Sequence, residues 1–197
     1  MKTLLIALRV TLVTLVLTGL VYPLVVTGLA QLLFPDRSNG SFLTDEHGAV
    51  AGSELIGQPF SSPAYLASRP SAAGNGWDAT SSGGSNLGPT SQKLHDRVAD
   101  ATKVLLAGTH GGIALPGPAP LELVTASASG LDPDLSPEAA YWQAPRIAAA
   151  RGVSEARVKA VIEDHLQDRD LWVLGEPRVN VLRTNLALDR QFGRPTR

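Results

Sequence analysis

The chain has 197 residues, no cysteine, a formal net charge of −1 and 44 % hydrophobic residues. That length holds one domain of ordinary size with room for an appendage. Without cysteine, disulfide frameworks, Cys-ligated zinc, iron–sulfur clusters and thiol catalysis are excluded, and the near-neutral charge argues against nucleic acid as a partner.

The apolar residues are unevenly spread. No charged residue occurs from Val10 to Pro35, a run of 26 positions flanked by Arg9 and Asp36. A helix rising about 1.5 Å per residue needs only about 20 residues to cross a bilayer core of about 30 Å. Residues 1–35 therefore read as a transmembrane anchor, helical over about 10–34. A cleaved signal peptide competes, with Lys2 and Arg9 as its basic region and Gly28-Leu29-Ala30 as its cleavage site. Signal cores span only about 7–15 residues, so the length favours a retained anchor, in which Tyr22-Pro23 is a tolerated kink. Lys2 and Arg9 precede the span while Asp36, Arg37, Asp45 and Glu46 follow it. The positive-inside rule then places the N-terminus in the cytoplasm and residues 36–197 outside. Thr11, Thr14, Thr18 and Tyr22 fall on one stripe of the helix, a candidate face for a partner helix. Bonding of each threonine to its own i−4 carbonyl is the alternative reading of that stripe.

Residues 36–197 carry 15 basic and 18 acidic residues and form a second, soluble part. Ser, Gly, Pro and Asn fill 17 of the 30 positions from Ser61 to Thr90, a long loop that Tyr65, Leu66 and Trp77 anchor. Helical signals open at Pro89-Thr90-Ser91, continue through Leu94, Val98, Ala101 and Leu105, and stop at Gly108. Leu121–Thr125 reads as a strand. Ser136-Pro137-Glu138 is a strong helix start, Pro145 is expected to break or restart that helix, and Gly152 ends it. Ser154 opens a further helix with Val158, Val161, Ile162 and Leu166 on its buried face. Leu171–Leu174 and Val179–Leu182 resemble short strands around Gly175-Glu176-Pro177, and Thr184 caps a last helix through Asp189. The expected fold is α+β: one N-terminal transmembrane helix followed by a single small extracytoplasmic domain.

Candidates for chemistry are few. Ser82-Gly83-Gly84-Ser85-Asn86 has the backbone N–H density of an anion loop but lacks the P-loop lysine, so a structural turn is the stronger reading. Ser127 and Ser129, with Asp164-His165, invite a membrane-anchored serine hydrolase, yet the glycine that G-x-S-x-G needs is absent at 127. His47, His95, His110 and His165 have no metal-ligand spacing, and no metal is expected. Asp132 and Asp134 sit in a turn and are expected to cap backbone groups. Trp142 and Trp172 read as core, whereas Trp77 reads as partner surface.

Several ordered blocks carry a family resemblance. They are Tyr65-Leu66-Ala67-Ser68-Arg69-Pro70-Ser71-Ala72, Ser82-Gly83-Gly84-Ser85-Asn86-Leu87-Gly88-Pro89-Thr90, and Val124-Thr125-Ala126-Ser127-Ala128-Ser129-Gly130-Leu131-Asp132-Pro133. Ser136-Pro137, Ala149-Ala150-Arg151-Gly152, Val179-Asn180-Val181-Leu182 and Asn185-Leu186-Ala187-Leu188-Asp189 follow in order. Together they resemble the KdpC family, the C subunit of the Kdp potassium-transporting P-type ATPase, with departures at Leu66, Ser91 and Ala128. The resemblance implies an accessory, non-hydrolysing subunit with no catalytic residues and no cofactor of its own. It also implies partnership with KdpA, KdpB and KdpF, and assembly or stabilisation of the pump. A catalytic-chaperone role, raising the ATP affinity of the catalytic subunit, would use Ser82–Asn86 as a nucleotide contact. An exterior domain conflicts with that role, because ATP is cytoplasmic. Tyr65, Arg69 and Trp77 are the candidate partner surface. The alternatives are the anchored hydrolase and an independent nucleotide-binding module.

Overall fold

The computed structural model describes residues 1–107 and 115–195. The expected helix stop at Gly108 and the histidine His110 lie outside the described residues. Two compact units result, Met1–Phe42 and Leu43–Arg197.

The first unit is a 32-residue apolar helix, Lys2–Leu33, long enough to cross a membrane, followed by one short turn of helix. It comprises α1 (Lys2–Val16), a π-turn (Leu17–Val21) and α2 (Tyr22–Leu33), then α3 (Pro35–Ser38). The helix begins ahead of the uncharged run and carries Lys2 and Arg9. The π-turn has a local cause. Pro23 has no N–H and its ring crowds the carbonyl four residues back, and a wider turn accommodates both. The Tyr22 N–H reaches the Leu17 carbonyl across that turn.

The second unit begins within β1 (Phe42–Thr44), which with β2 (Val50–Ser53) forms a ribbon closed by Asp45, whose carboxylate accepts the N–H groups of His47 and Ala49 at 2.9 and 3.0 Å. Next come α4 (Gln92–Ala107), a 3₁₀ turn (Leu121–Leu123), β3 (Asp134–Leu135), α5 (Pro137–Arg151) and α6 (Glu155–Asp164). The chain continues through β4 (Leu166–Gln167), β5 (Arg178–Asn180) and α7 (Val181–Phe192). The sheet order is β3-β5-β4, antiparallel throughout, with Leu135 and Leu166 both in register with Val179. Helices α5 and α6 pack on each other, and α5 and α7 pack on β5. Leu135, Ile147, Val158, Ile162, Val179 and Leu188 are buried between these elements.

Four expectations require correction. Leu121–Thr125 is a 3₁₀ turn, because the Val124 and Thr125 N–H groups and the Thr125 hydroxyl all bond the Leu121 carbonyl. Helix α5 runs unbroken through Pro145. An interior proline costs about 3 kcal/mol in an isolated helix. Here Trp142, Ala144, Ile147 and Ala148 around it are buried, and packing outweighs propensity. The strand-like run Val179–Leu182 is extended only to Asn180, whose side chain accepts the Arg183 N–H at 3.1 Å and caps α7 in place of Thr184. Finally, Leu171–Leu174 is a turn, and Trp172 is 90 % exposed rather than in the core. Asp170 and Leu174 exchange backbone bonds at 2.9 Å, so the three residues between them must reverse the chain. Leu171 and Trp172 do so at φ of 52° and 68°, a left-handed geometry that costs side-chain-bearing residues about 1–3 kcal/mol each.

Candidate functional site: a loop platform held by buried side chains

The long loop over 61–90 has little regular structure, yet Ala64, Leu66 and Ala73 in it are buried. Buried backbone without helix or sheet neighbours must bond to side chains. From Pro63 to Ala67, five consecutive carbonyls are each taken by a side chain from α5 or α7. Arg146 donates to Pro63 and Tyr65 at 2.7 and 2.9 Å. Arg151 Nε donates to Ala64 at 2.7 Å. Asn185 donates to the Leu66 carbonyl at 3.0 Å and accepts the Leu66 N–H at 2.8 Å. Gln143 treats Ala67 likewise, donating at 3.3 Å and accepting at 2.8 Å.

The side chains of this clamp also support one another. Gln143 Oε1 accepts from Arg146 at 2.8 Å, and Arg151 pairs with Asp189 at 2.8 Å, with both side chains of that pair nearly inaccessible. The Tyr65 hydroxyl donates to Asp189 at 2.9 Å while its ring lies 5.0 Å from the Arg151 guanidinium. Burial, then the hydrogen bond to ionised Asp189, raises the Tyr65 phenol above its usual value. Among the described residues Arg146 has no carboxylate partner, and burial lowers the pKa of its guanidinium to about 10. Its Nε is buried without a hydrogen bond, and the side chain lines an open groove of about 590 Å³ with Phe60, Pro63 and Leu105.

Beyond the clamp, the loop doubles back on residues 127–132. Ser71 Oγ donates to Gly130 at 2.6 Å and accepts the N–H groups of Ala73 and Trp77. The Gly83 N–H and the Ser82 hydroxyl both donate to the Ser129 carbonyl, at 2.9 and 3.0 Å. A Cβ on Gly84 would lie 2.8 Å from the Ala128 carbonyl oxygen. Gly130, at φ +68°, would place one 2.6 Å from Ala73 N. The glycines of the Ser-Gly-Gly segment and of the 127–130 turn thus let two irregular strands of chain touch.

The remaining candidates have local contacts. Ser129 Oγ accepts the Leu131 N–H at 3.1 Å, and His165 Nδ1 lies 2.9 Å from the Val161 carbonyl. Arg69 pairs with Asp132 at 3.1 Å, and Asp132 caps the Asp134 N–H as expected. Burial raises the Asp134 carboxyl, the charges of Asp132 and Glu54 add to it, and Asn180 and Arg178 oppose it. Trp142 is core and donates to the Gly117 carbonyl at 3.1 Å. Trp77 is half-buried at φ +53°. In the apolar helix Lys2–Leu33, the Thr14 and Thr18 hydroxyls bond the carbonyls of Val10 and Thr14 at 2.9 and 2.7 Å, the back-bonding alternative for that stripe. Among the described residues, no group of three or more His, Asp or Glu could hold a metal ion.

Sequence reasoning missed the clamp as a unit. Its signal is the pair Gln143 and Arg146, three residues apart in an alanine-rich helix and both buried.

These features define a helix-anchored α+β domain whose polar interior is spent on shaping a loop surface. The profile of the KdpC family, described as K+-transporting ATPase, c chain, matches residues 4–190. The chain is 58 % identical over 192 residues to a Potassium-transporting ATPase KdpC subunit of Myxococcus xanthus, covering 98 % of this chain and 90 % of the relative. It is 49 % identical over 195 residues to the protein of the same name from Koribacter versatilis, covering 99 % and 98 %. The counterpart from Rhodospirillum rubrum is 53 % identical over 179 residues, 89 % of each chain. The chain belongs to the KdpC family.

Proposed function

We propose that this chain is an accessory subunit of an ATP-driven potassium pump, held in the membrane by residues 2–33 and assembled with KdpA, KdpB and KdpF. Membership of the KdpC family over residues 4–190, anchor included, carries the reading. Thr11, Thr14, Thr18 and Tyr22 form the stripe that packs against partner helices. The soluble domain lies outside the membrane and acts as a brace, with Tyr65, Arg69 and Trp77 on its partner-facing side and no catalytic step of its own.

Expression with the other pump subunits tests the assignment. Co-purification of all subunits in mild detergent is expected, and purification of this chain alone overturns it. Sidedness is tested at Ser81→Cys, since the chain has no cysteine of its own and Ser81 is exposed. Labelling of intact cells by a membrane-impermeant maleimide supports the external brace. Labelling only after lysis would instead put Ser82–Asn86 in the compartment that holds ATP, and favour the catalytic-chaperone role.

A further inference from the structure

We propose that the turn Leu171-Trp172-Val173-Leu174 is a knob that docks into an apolar recess on another protein subunit of the pump, an inference that rests on the pump-subunit reading above. The four side chains are 78, 90, 73 and 57 % exposed, four large apolar residues in succession at the tip of a loop. Isolated apolar residues on a surface are ordinary; a contiguous group is a mark of an interaction site.

The backbone presents this group rather than hiding it. The Asp170–Leu174 bridge pins the base of the turn, and Leu171 and Trp172 keep left-handed φ angles above it. A loop free to relax would fold its tryptophan onto the domain and leave that geometry. The base is further tied by Arg169 to Glu176 at 2.6 Å and by Arg178 to Asp170 and Asp134 at 3.7 and 3.6 Å.

The charges around the tip select the occupant. Asp168, Arg169, Asp170, Glu176 and Arg178 sum to −1. Elements that insert into lipid headgroups carry basic collars, which attract phosphates, and this collar would repel them. A second copy of the chain would bring the same negative collar against itself across a two-fold axis. Arg169 with Glu176 and Arg178 with Asp170 are paired polar groups beside an exposed tryptophan, the composition of a protein–protein hot spot, in which a polar rim excludes water.

The test uses the full chain in membranes with Val173→Cys, which leaves Trp172 in place. Reaction with a soluble maleimide is followed as a mass shift on this chain, with and without the other pump subunits. Val104→Cys, on exposed α4, is the reference site. Position 173 is expected to react at least about tenfold more slowly when the subunits are present, while position 104 is unaffected; tenfold corresponds to about 1.4 kcal/mol of protection. Adding Trp172→Asp is expected to restore the fast rate. If the subunits co-purify and position 173 reacts equally fast in both cases, the knob is refuted and the pump-subunit reading stands. Protection in the chain expressed alone would assign the tip to lipid or to a second copy and refute it too. Failure to co-purify refutes both readings.

Discussion

Replacing Asn185 by alanine asks whether side chains hold the 63–67 segment in place. The Asn185 amide makes two bonds to Leu66, at 2.8 and 3.0 Å, and the two residues are 1 % and 0 % exposed. Asn185→Ala leaves one buried N–H and one buried carbonyl without a partner, each at a cost of about 1–3 kcal/mol. The expected loss is therefore about 2–6 kcal/mol, set against a total stability of about 5–15 kcal/mol for an ordinary domain. With a urea m-value of about 2 kcal/mol/M, the midpoint falls by about 1–3 M. The assay is urea unfolding of the full chain in detergent, followed by tryptophan fluorescence, together with hydrogen exchange at the Leu66 amide. Gln92→Ala on the exposed side of α4 is the control and should stay within about 0.5 kcal/mol of the parent. A loss below about 1 kcal/mol, with Leu66 still protected from exchange, would refute the claim that this amide supports the loop.

Glycine substitutions separate conformational strain from crowding. Gly175→Ala, at φ +79° with open space around the added carbon, should cost about 1–2 kcal/mol. Gly130→Ala also meets Ala73 N at 2.6 Å and the Gly83 carbonyl at 2.7 Å, so its loss should be clearly larger, with new protease cleavage in 71–90; equal thermal shifts would remove the crowding argument. Burial, reinforced by Asp132 and Glu54, raises the Asp134 carboxyl above its ordinary 3.8. A carboxyl raised on folding favours the native state below its unfolded value, and that contribution is lost as pH rises through the folded value. Asp134→Asn should therefore gain on the parent as pH rises above about 4 and converge with it below; a gap independent of pH would contradict this. Trp142→Phe removes the bond to Gly117 and should lower stability by about 1 kcal/mol, read from urea midpoints, while no change would mean that this bond adds nothing.

The sequence was legible where one local rule sufficed. Lipid demands an unbroken apolar run, so the anchor stands out, and Ser136-Pro137 starts α5 through a cap and a preset φ that need no distant partner. It was misleading where local preference met tertiary demand. Leu171–Leu174 has strand-like residues, but a strand needs a neighbour, and among the described residues the ladder-like bonding at this turn is its own Asp170–Leu174 bridge. At Pro145 the error runs the other way, since a helix buried along most of its length tolerates a residue that an exposed helix would not.

The clamp was illegible for a different reason. Asn185 and Leu66 are 119 residues apart, and Gln143 and Ala67 are 76 apart, so no local window contains both partners. Each half nevertheless leaves a trace. A polar side chain buried on a helix must bond to something, and its own helix has already used most of the backbone groups nearby. A long loop that buries apolar residues such as Leu66 must likewise find donors for its carbonyls, and it has no ladder to supply them. The two deficits are complementary. Four side chains, Gln143, Arg146, Arg151 and Asn185, meet five consecutive carbonyls, which fixes the loop's path without any regular structure of its own. A surface built this way is tied directly to the helices behind it, which is the property the proposed bracing role requires of this loop.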